Sequence, residues 1–390
     1  MSTVIETFSS MERKLRPIIT QLPPSLAVRF YSRGRERFLE QFVKETPQPC
    51  VPPEEFARTL WGITFRSPLF NAAGMFKNGE GYDLVAKQGA GAYLGGTTTA
   101  NPKPGNNKNN IARPFVPYPA SHAASNWLGL PNEGDERVAR RVERIQKIEG
   151  CPLGMSIAAS PDLEPQKALE SLVDGMHRYR TAGVDFLEVN QSCPNTGERE
   201  QQEGLAQRLH YIKKEFLDKR TDRAKYVPVI VKFSTDTSLE QLPKLLEMVI
   251  EAGFDGINLG NSSTAYDMIE NIIHSSEKKL FGYFTKTFGG GVTGAPLKYR
   301  SFDLAKAAVE YLKKNPPPQE FHVIRTGGIS SSSDFLTSER NGIALNQWFT
   351  GYFEKFAQYG HDLYWCLYSL YAIDKTRMMT IGNSPTTIFK

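Results

Sequence analysis

Short apolar runs recur along the chain, and segments with helical spacing lie between most of them. The apolar runs cover residues 69–74, 92–99, 153–159, 186–192, 229–234, 256–260, 323–327 and 343–349. One intervening segment places Leu169, Leu172, Val173, Met176 and Tyr179 on a single face, as in a helix that packs on a sheet. Eight strands alternating with helices predict an α/β protein of the parallel (β/α)8, or TIM-barrel, type. A doubly wound sheet is the alternative, and eight evenly spaced units favour the closed barrel.

A helical pattern also precedes the barrel, between residues 11 and 44, with interruptions at Pro17 and at Pro23-Pro24. Its basic, amphipathic character is typical of short helices on a membrane surface, although a helical cap packed on the next domain would show the same pattern. Residues 1–9 are polar and are expected to be loosely ordered. Four prolines between residues 46 and 54 indicate a linker. We therefore divide the chain into a helical extension with its linker, 1–54, and a barrel domain, 55–390.

Three stretches depart from the barrel rhythm. Residues 101–130 have no periodicity, and residues 262–296 form a long segment that ends in GGGVTG. Both follow strands on the side where barrel loops often become lids. The aromatic stretch 361–371 predicts one further helix, whose role the sequence does not reveal.

Composition narrows the classes of function. The 390 residues are 40% hydrophobic and 23% charged, with a formal charge of +5 and no basic run of the kind that binds nucleic acid. The four cysteines form no CxxC pair and no zinc-type cluster with histidine, so we expect no metal site. We see no signal peptide and no apolar run of membrane-spanning length, which suggests a cytoplasmic protein with free thiols.

The richest concentration of polar groups follows the fourth strand, where residues 186–196 read FLEVNQSCPNT. Pro194 cannot continue a central strand, so the strand must stop at Cys193. The carboxyl ends of barrel strands are where active sites lie. A thiol flanked by amides there could accept a proton from a polar substrate, although free cysteines often only pack.

Lys232 lies inside the apolar fifth strand, VIVKF. A buried ammonium group needs an anionic partner, and the next acid along the chain is Asp236, so we expect a bound anion. Gly327-Gly328 and Thr350-Gly351 follow strands seven and eight, the usual position of a phosphate site in these barrels. Together they suggest a phosphorylated cofactor.

Two further sets of polar residues point to the substrate. Lys77 lies in a turn after the first strand, where it could meet a carboxylate, although an exposed turn lysine is the common case. Amides on several loops could pair with a ring that both donates and accepts hydrogen bonds, such as a pyrimidine. These amides are Asn126, Asn190, Asn195 and Asn261.

The ordered set of motifs from about residue 60 to about residue 350 resembles the dihydroorotate dehydrogenase family. The motifs are SPLFNAAGMFKNGE at 67–80, GTTTANPKPGN at 96–106, NWLGLPN at 126–132, NQSCPNT at 190–196, Val231-Lys232, Asn261-Ser262, VTG at 292–294 and GGI at 327–329. Any one of them is weak evidence, whereas all of them in the family's order are specific.

The resemblance implies a role for each matched residue. FMN would contact Ala73, Gly74, Lys77, Thr97, Ser156, Asn190, Lys232, Gly260, Gly294, Gly327, Gly328, Phe349 and Thr350. Dihydroorotate would be held by Lys77, Asn126, Trp127, Leu128, Gly129, Leu130, Asn190, Asn195, Asn261 and Ser262. Cys193 would be the general base, and Lys232 would stabilise charge on the reduced flavin.

The resemblance leaves the electron acceptor open. Cys193 as base, Leu130 and Asn261-Ser262 resemble the soluble class, which uses fumarate or NAD. The helical extension resembles the membrane-associated class that reduces quinone, in which Tyr and Ser stand at the positions of Phe349 and Thr350, and Asn stands at that of Ser156. We favour quinone and a peripheral location on the inner face of the cell membrane, because the extension then has a physical use. A homodimer is usual in the family. A flavin barrel acting on another pyrimidine and a non-catalytic flavin-binding protein are the competing functions.

Overall fold

Eight parallel strands form a barrel, as the sequence predicts. The computed structural model describes residues 2–191, 202–220 and 226–382. Its strands are β1 Arg58–Leu60, β2 Ile63–Phe65, β3 Leu69–Asn71, β4 Tyr93–Thr98, β5 Asn107–Lys108, β6 Ile111–Ala112, β7 Phe115–Tyr118, β8 Ala123–Asn126, β9 Leu153–Ile157, β10 Phe186–Asn190, β11 Val229–Phe233, β12 Gly256–Leu259, β13 Gly291–Gly294, β14 His322–Thr326 and β15 Leu345–Trp348. The barrel strands run β3-β15-β14-β12-β11-β10-β9-β4, and each falls inside one of the eight predicted runs or within a residue of it.

Helices surround this barrel and precede it. They are α1 Val4–Ile19, α2 Pro24–Phe42, α3 Tyr82–Lys87, α4 Asp135–Val142, α5 Pro165–Thr181, α6 Gln202–Glu215, α7 Leu242–Glu251, α8 Tyr266–Glu270, α9 Lys278–Thr287, α10 Lys298–Lys314, α11 Ser332–Arg340, α12 Thr350–Tyr359 and α13 Leu363–Gly382. The predicted apolar face of α5 is buried in full. Because helices cover the strands, the strand sequences are nearly continuous apolar runs rather than alternating ones.

A side chain closes the barrel by joining β3 and β4, the strands at the two ends of the sheet order. Asn71, at the end of β3, donates from Nδ2 to the carbonyl oxygen of Leu94 in β4 at 2.7 Å. Its Oδ1 accepts from the Leu94 amide at 3.2 Å. The buried amide group thus replaces a missing pair of ladder hydrogen bonds and satisfies the backbone of β4.

The extension differs from its prediction at the amino end. Residues 4–9 belong to α1, because Thr3 and Glu6 form a reciprocal capping box at its start. Pro17 does not interrupt this helix, since it lies near its carboxyl end and removes one hydrogen-bond donor. Helix α2 packs on β7 and α9 through Ala27 and Val28, both fully buried. The division of the chain at residue 54 stays a prediction.

The two irregular stretches pair with each other above the barrel. Strands β7 and β8 from the first stretch and β13 from the second form an antiparallel sheet, with Ser125 opposite both Val116 and Val292. These strands are short and rich in Ala, Ser and Gly, so they carry no alternating apolar pattern that would predict them. The predicted aromatic helix is the first half of α13, whose Tyr368 hydroxyl donates to Ser67 Oγ at 2.7 Å.

Asp135, in the first turn of α4, should make stability depend on pH. It is 2% exposed, and burial raises its pKa to about 6, against the opposing hydrogen bonds from Thr98 and Tyr179. Because folding raises the pKa of this carboxyl group, the folded protein binds the proton more tightly than the unfolded chain does. The contribution of Asp135 to the free energy of unfolding therefore falls as pH rises from about 4 to about 6. We expect Asp135→Asn to raise the free energy of unfolding by roughly 2–3 kcal/mol near pH 8, and by little near pH 4.5.

Thermal unfolding of both proteins at these two pH values measures the effect. Glu136→Gln is the matched control, because Glu136 is exposed on the same helix and forms a surface ion pair with Arg140. A gain for Asp135→Asn that is equal at both pH values would contradict the assignment.

Candidate active site

The carboxyl ends of the barrel strands enclose one cavity of about 990 Å³, measured out to its mouth. Its wall combines backbone at glycine turns with amide, hydroxyl and ammonium groups from loops after the strands. The predicted residues that line it are Ala73, Gly74, Lys77, Thr97, Asn126, Leu128, Leu130, Asn190, Lys232, Asn261, Ser262, Gly294, Gly327, Gly328, Phe349 and Thr350. The structure therefore brings most of the sequence-predicted site together in one place.

The remaining predicted residues lie outside this lining or outside the described part of the chain. Ser156 is fully buried and bonds Thr97 from behind, while Trp127 packs on Phe288 in the covering sheet. Gly260 lies against the backbone of Thr326, and Gly129 lies against Asn106. Cys193 and Asn195 fall outside the described residues.

A row of hydrogen-bonded polar groups crosses the cavity wall. Asn261 Nδ2 donates to Asn190 Oδ1 at 3.2 Å, and Asn190 Nδ2 donates to Thr97 Oγ1 at 3.2 Å. Thr97 Oγ1 lies 3.0 Å from Ser156 Oγ. Because each amide is oriented by its neighbour, the row presents fixed hydrogen-bonding groups toward a ligand in the cavity.

Lys232 has its anionic partner inside the protein, which corrects the expectation of a bound anion. Its Nζ lies 3.4 Å from Oε1 of Glu188, and the two side chains are 3% and 1% exposed. Glu188 belongs to β10, the strand beside β11, and faces the barrel interior. The sequence did not single out Glu188, because one acid within the otherwise apolar run FLEVN leaves the pattern of a buried strand unchanged. Its spacing of two from Asn190 was the available signal, since alternate strand residues share a face.

Strands β14 and β15 end in a site suited to phosphate. Gly327 and Gly328 have φ values of +122° and +68°, and a Cβ at Gly328 would lie 2.3 Å from the Cα of Lys298. Only glycine fits there. Helix α12 begins at Thr350 with no side-chain cap on its first amides, and Phe349, Thr350 and Gly351 line the cavity. Glycine backbone and an uncapped helix N-terminus are the groups that hold phosphate in such barrels.

Lys77 also lines this cavity. A Cβ built on Gly74 would lie 3.5 Å from Lys77 Nζ and 3.7 Å from the Phe349 ring. The turn is held by Glu80, whose carboxylate accepts from the backbone amides of Lys77 and Asn78 at 2.9 and 2.6 Å. The ammonium group thus lies at the cavity wall, near Gly74 and Phe349.

A second cavity of about 1030 Å³ adjoins the first, and the sequence did not predict it. It lies between α1, α2, β7, β8 and α12, and both cavities include Phe349, Thr350 and Glu354 in their walls. Its other walls are largely apolar, with Phe8, Phe30, Phe38, Leu39, Phe115, Pro117, Phe353 and Phe356 among them. The periodicity of any one segment could not predict this cavity, because several separate elements form its walls.

Several charged groups also border this second cavity. Glu12 pairs with Arg16 at the next helical turn and accepts from the Tyr31 hydroxyl at 3.1 Å. Burial lowers the pKa of Arg35 to about 10. Arg35 Nη2 is buried without a hydrogen-bond partner among the residues described. The first cavity likewise gains residues that the sequence did not indicate, namely His122, Thr293 and Glu354.

The fold and the site define a class, the TIM-barrel enzymes whose site lies at the carboxyl ends of their strands. The family model for dihydroorotate dehydrogenase matches residues 55–360. A relative from Methylobacillus flagellatus, named dihydroorotate dehydrogenase (quinone), is 30% identical over 305 residues, covering 77% of this chain and 83% of the relative. One of the same name from Shewanella sediminis is 29% identical, covering 79% and 86%. The chain belongs to the dihydroorotate dehydrogenase family, and it is an oxidoreductase.

The solved structures agree on the fold. The crystal structure of DHODH from Eimeria tenella in complex with ferulenol superimposes with a TM-score of 0.72 at 21% identity, over 90% of this chain and 92% of that one. The ligand-free form has a TM-score of 0.71 at 23% identity, over 86% and 92%. Because the identities are below 25%, the superpositions support only the fold. They confirm a barrel that is preceded by helices.

Proposed function

We propose that the protein oxidises dihydroorotate to orotate in pyrimidine biosynthesis with FMN as cofactor, and passes the electrons to a quinone. The observation that carries this proposal is the pair of adjoining cavities. One is polar and carries phosphate-binding and amide groups, and the other is apolar and shares Phe349, Thr350 and Glu354 with it. Oxidation of a polar donor and reduction of an apolar acceptor are two half-reactions that share one cofactor. They require one polar and one apolar site beside that cofactor.

The residues present fit a flavin mononucleotide. The uncapped start of α12 and the Gly327-Gly328 turn suit its phosphate, and Lys232 would lie beside its pyrimidine edge. Dihydroorotate dehydrogenases are flavoproteins. When bound, the flavin supplies the hydride acceptor at its N5. Lys232 would then stabilise negative charge on the reduced ring.

The chain's own residues would hold and deprotonate the substrate. Lys77 would bind the carboxylate, and the row from Asn261 to Asn190 would orient the amide edge of the ring. Cys193 would take the proton from the ring carbon next to the carbonyl. A thiol suits this role because its pKa lies nearer neutrality than that of a hydroxyl group. A carboxylate-free pyrimidine would have no use for Lys77, which disfavours the competing substrate.

The second cavity supports quinone over fumarate or NAD as the acceptor. Phe8 and Phe30 stand in its wall and are about half exposed, so the cavity opens between α1 and α2. Apolar side chains continue along the same helices, where Val4, Met11, Leu15 and Ile18 are 48–83% exposed. Such an exposed apolar face marks an interaction surface. No helix among the described residues is long and apolar enough to cross a membrane.

We therefore propose that α1 and α2 lie on the inner face of the cell membrane and admit quinone from it. The variant carrying Met11→Glu and Ile18→Glu should bind anionic phospholipid vesicles at least about 100-fold more weakly, because each apolar side chain contributes roughly 1.5–3 kcal/mol when buried. Co-sedimentation with vesicles measures this.

The matched control variant carries Leu239→Glu and Tyr299→Glu, two exposed apolar residues on the barrel wall. Equal loss of binding in both variants would show that added negative charge alone weakens binding. Unchanged binding of the first variant would exclude the helices from the membrane contact.

The overall reaction is tested by anaerobic titration of the purified protein with dihydroorotate, followed by reoxidation with a soluble quinone analogue or with fumarate. Bleaching of the flavin, with recovery on addition of quinone, is the expected result. A flavin that dihydroorotate does not bleach would overturn the substrate. Recovery with fumarate alone would overturn the assignment of quinone as the acceptor. Helices α1 and α2 would then be helices that only pack on the barrel domain. A homodimer stays a prediction.

A further inference from the structure

The carboxylate of Glu188 is part of a closed polar network beneath the first cavity. Its Oε2 accepts from Asn258 Nδ2 at 2.7 Å and from Gln347 Nε2 at 2.8 Å. Its Oε1 has the Lys232 ammonium group 3.4 Å away and accepts no hydrogen bond from the residues that the structure describes. The Thr326 hydroxyl completes the network, lying 2.9 and 3.0 Å from the side-chain oxygens of Asn258 and Gln347, and its one proton is donated to one of them at a time. Both charged side chains are nearly fully buried, so their fields are screened less than at the protein surface.

The two charges differ in their relation to the cavity. Lys232 is part of the cavity wall, whereas Glu188 is not among the lining residues and lies behind Lys232. A ligand beside Lys232 would thus experience the ammonium group at close range and the carboxylate at longer range. The carboxylate would reduce the positive potential there without cancelling it.

We propose that Glu188 is a positioning residue that acts through Lys232 and lowers the reduction potential of the bound flavin, an inference that rests on the proposed function. Reduction places negative charge on the flavin ring, and a positive charge nearby favours the reduced form. A carboxylate behind the lysine opposes this effect. The reduced flavin therefore passes its electrons on more readily than it would beside an uncompensated lysine.

A purely structural role predicts something different. A buried ammonium group is costly without a partner, so Glu188 could serve only to keep Lys232 in place. Loss of the charge would then lower thermal stability or flavin affinity and leave the potential of the flavin that still binds unchanged. The potential of the bound flavin separates the two roles.

The structure offers a matched set of variants, because Gln347 Oε1 also lies 3.4 Å from Lys232 Nζ. Glu188→Gln removes the charge and keeps the size of the side chain. Glu188→Gln combined with Gln347→Glu moves the carboxylate to the other side of the same ammonium group. Gln347→Glu alone places two carboxyl groups in hydrogen-bond contact, where they share one proton and keep a single negative charge. The midpoint potential of the flavin in each holoprotein is measured by anaerobic equilibration with a redox dye.

We expect Glu188→Gln to raise the midpoint potential of the flavin by about 30 mV. For a two-electron couple, this shift raises the ratio of reduced to oxidised flavin at a fixed potential about tenfold. The double variant should return toward the wild-type value, and Gln347→Glu alone should stay near it, because the net charge beside Lys232 is unchanged. If Glu188→Gln fails to fold or to bind flavin, Glu188→Asp still tests the inference, because it keeps the charge, moves it away from Lys232 and should raise the potential by a smaller amount. Unchanged potentials in flavin-bearing Glu188→Gln and Glu188→Asp would overturn it. A wild-type protein that binds no flavin would overturn the proposed function instead.

Discussion

Replacement of Cys193 by alanine is expected to slow reduction of the flavin by dihydroorotate about 10²–10⁴-fold, the usual contribution of a general base. The residues proposed to hold the flavin come from other parts of the barrel, including Lys232, Gly328 and Thr350. The variant should therefore purify with its flavin and with an unchanged flavin spectrum. Stopped-flow mixing of the oxidised protein with dihydroorotate under anaerobic conditions measures the rate directly.

Cys193→Ser is the matched control for this experiment. A hydroxyl group has a far higher pKa than a thiol, so the serine variant should retain partial activity that rises over a higher pH range. Loss of flavin from the alanine variant would make Cys193 a structural residue. Reduction of the alanine variant at the wild-type rate would remove the cysteine from the mechanism.

The sequence was sufficient to predict the barrel, because its signal is local. Most barrel strands are buried on both faces and therefore read as short, mainly apolar runs, as in VIVKF of β11. The position of the site followed from the same argument, since polar residues at strand ends must meet at one rim of a closed barrel. Asn190, Lys232 and Asn261 come from different strands and do line one cavity.

What the sequence could not predict depends on pairs of distant segments. The ion pair of Lys232 with Glu188 joins neighbouring strands, and which acid a buried lysine meets is decided by register across the sheet. The sheet formed by β7, β8 and β13 joins residues about 170 positions apart through small side chains. The second cavity has no sequence signal of its own, because five separate elements border it, α1, α2, β7, β8 and α12.

Gly34 provides the most direct test of the second cavity. It lies within α2 and in the cavity wall, and a Cβ built on it meets no atom within 4 Å. A phenylalanine at this position would therefore extend into open space rather than into packed atoms. Phe30 and Phe38 lie one turn away on either side and also line the cavity, so the new ring would join an existing apolar face.

We expect Gly34→Phe to lower kcat/KM for a quinone analogue at least about tenfold, since a bulky group in the cavity excludes the acceptor by more than about 1.4 kcal/mol. Thermal stability should stay equal or rise, because glycine within a helix costs roughly 0.5–1 kcal/mol relative to alanine. Reduction by dihydroorotate should be unchanged, because Gly34 does not border the first cavity. Steady-state assays and single-turnover reduction separate the two halves of the reaction.

Two further variants distinguish a blocked cavity from a general effect of the new ring. Gly34→Ala adds one methyl group and should change quinone reduction much less. Gly282→Phe places the same ring on α9, at a glycine whose added Cβ also meets nothing and which borders neither cavity. If Gly34→Phe reduces quinone as fast as Gly282→Phe, the acceptor does not occupy the space between α1, α2 and α12. The helical extension would then need another explanation, and electrons would have to leave the flavin through the mouth of the first cavity.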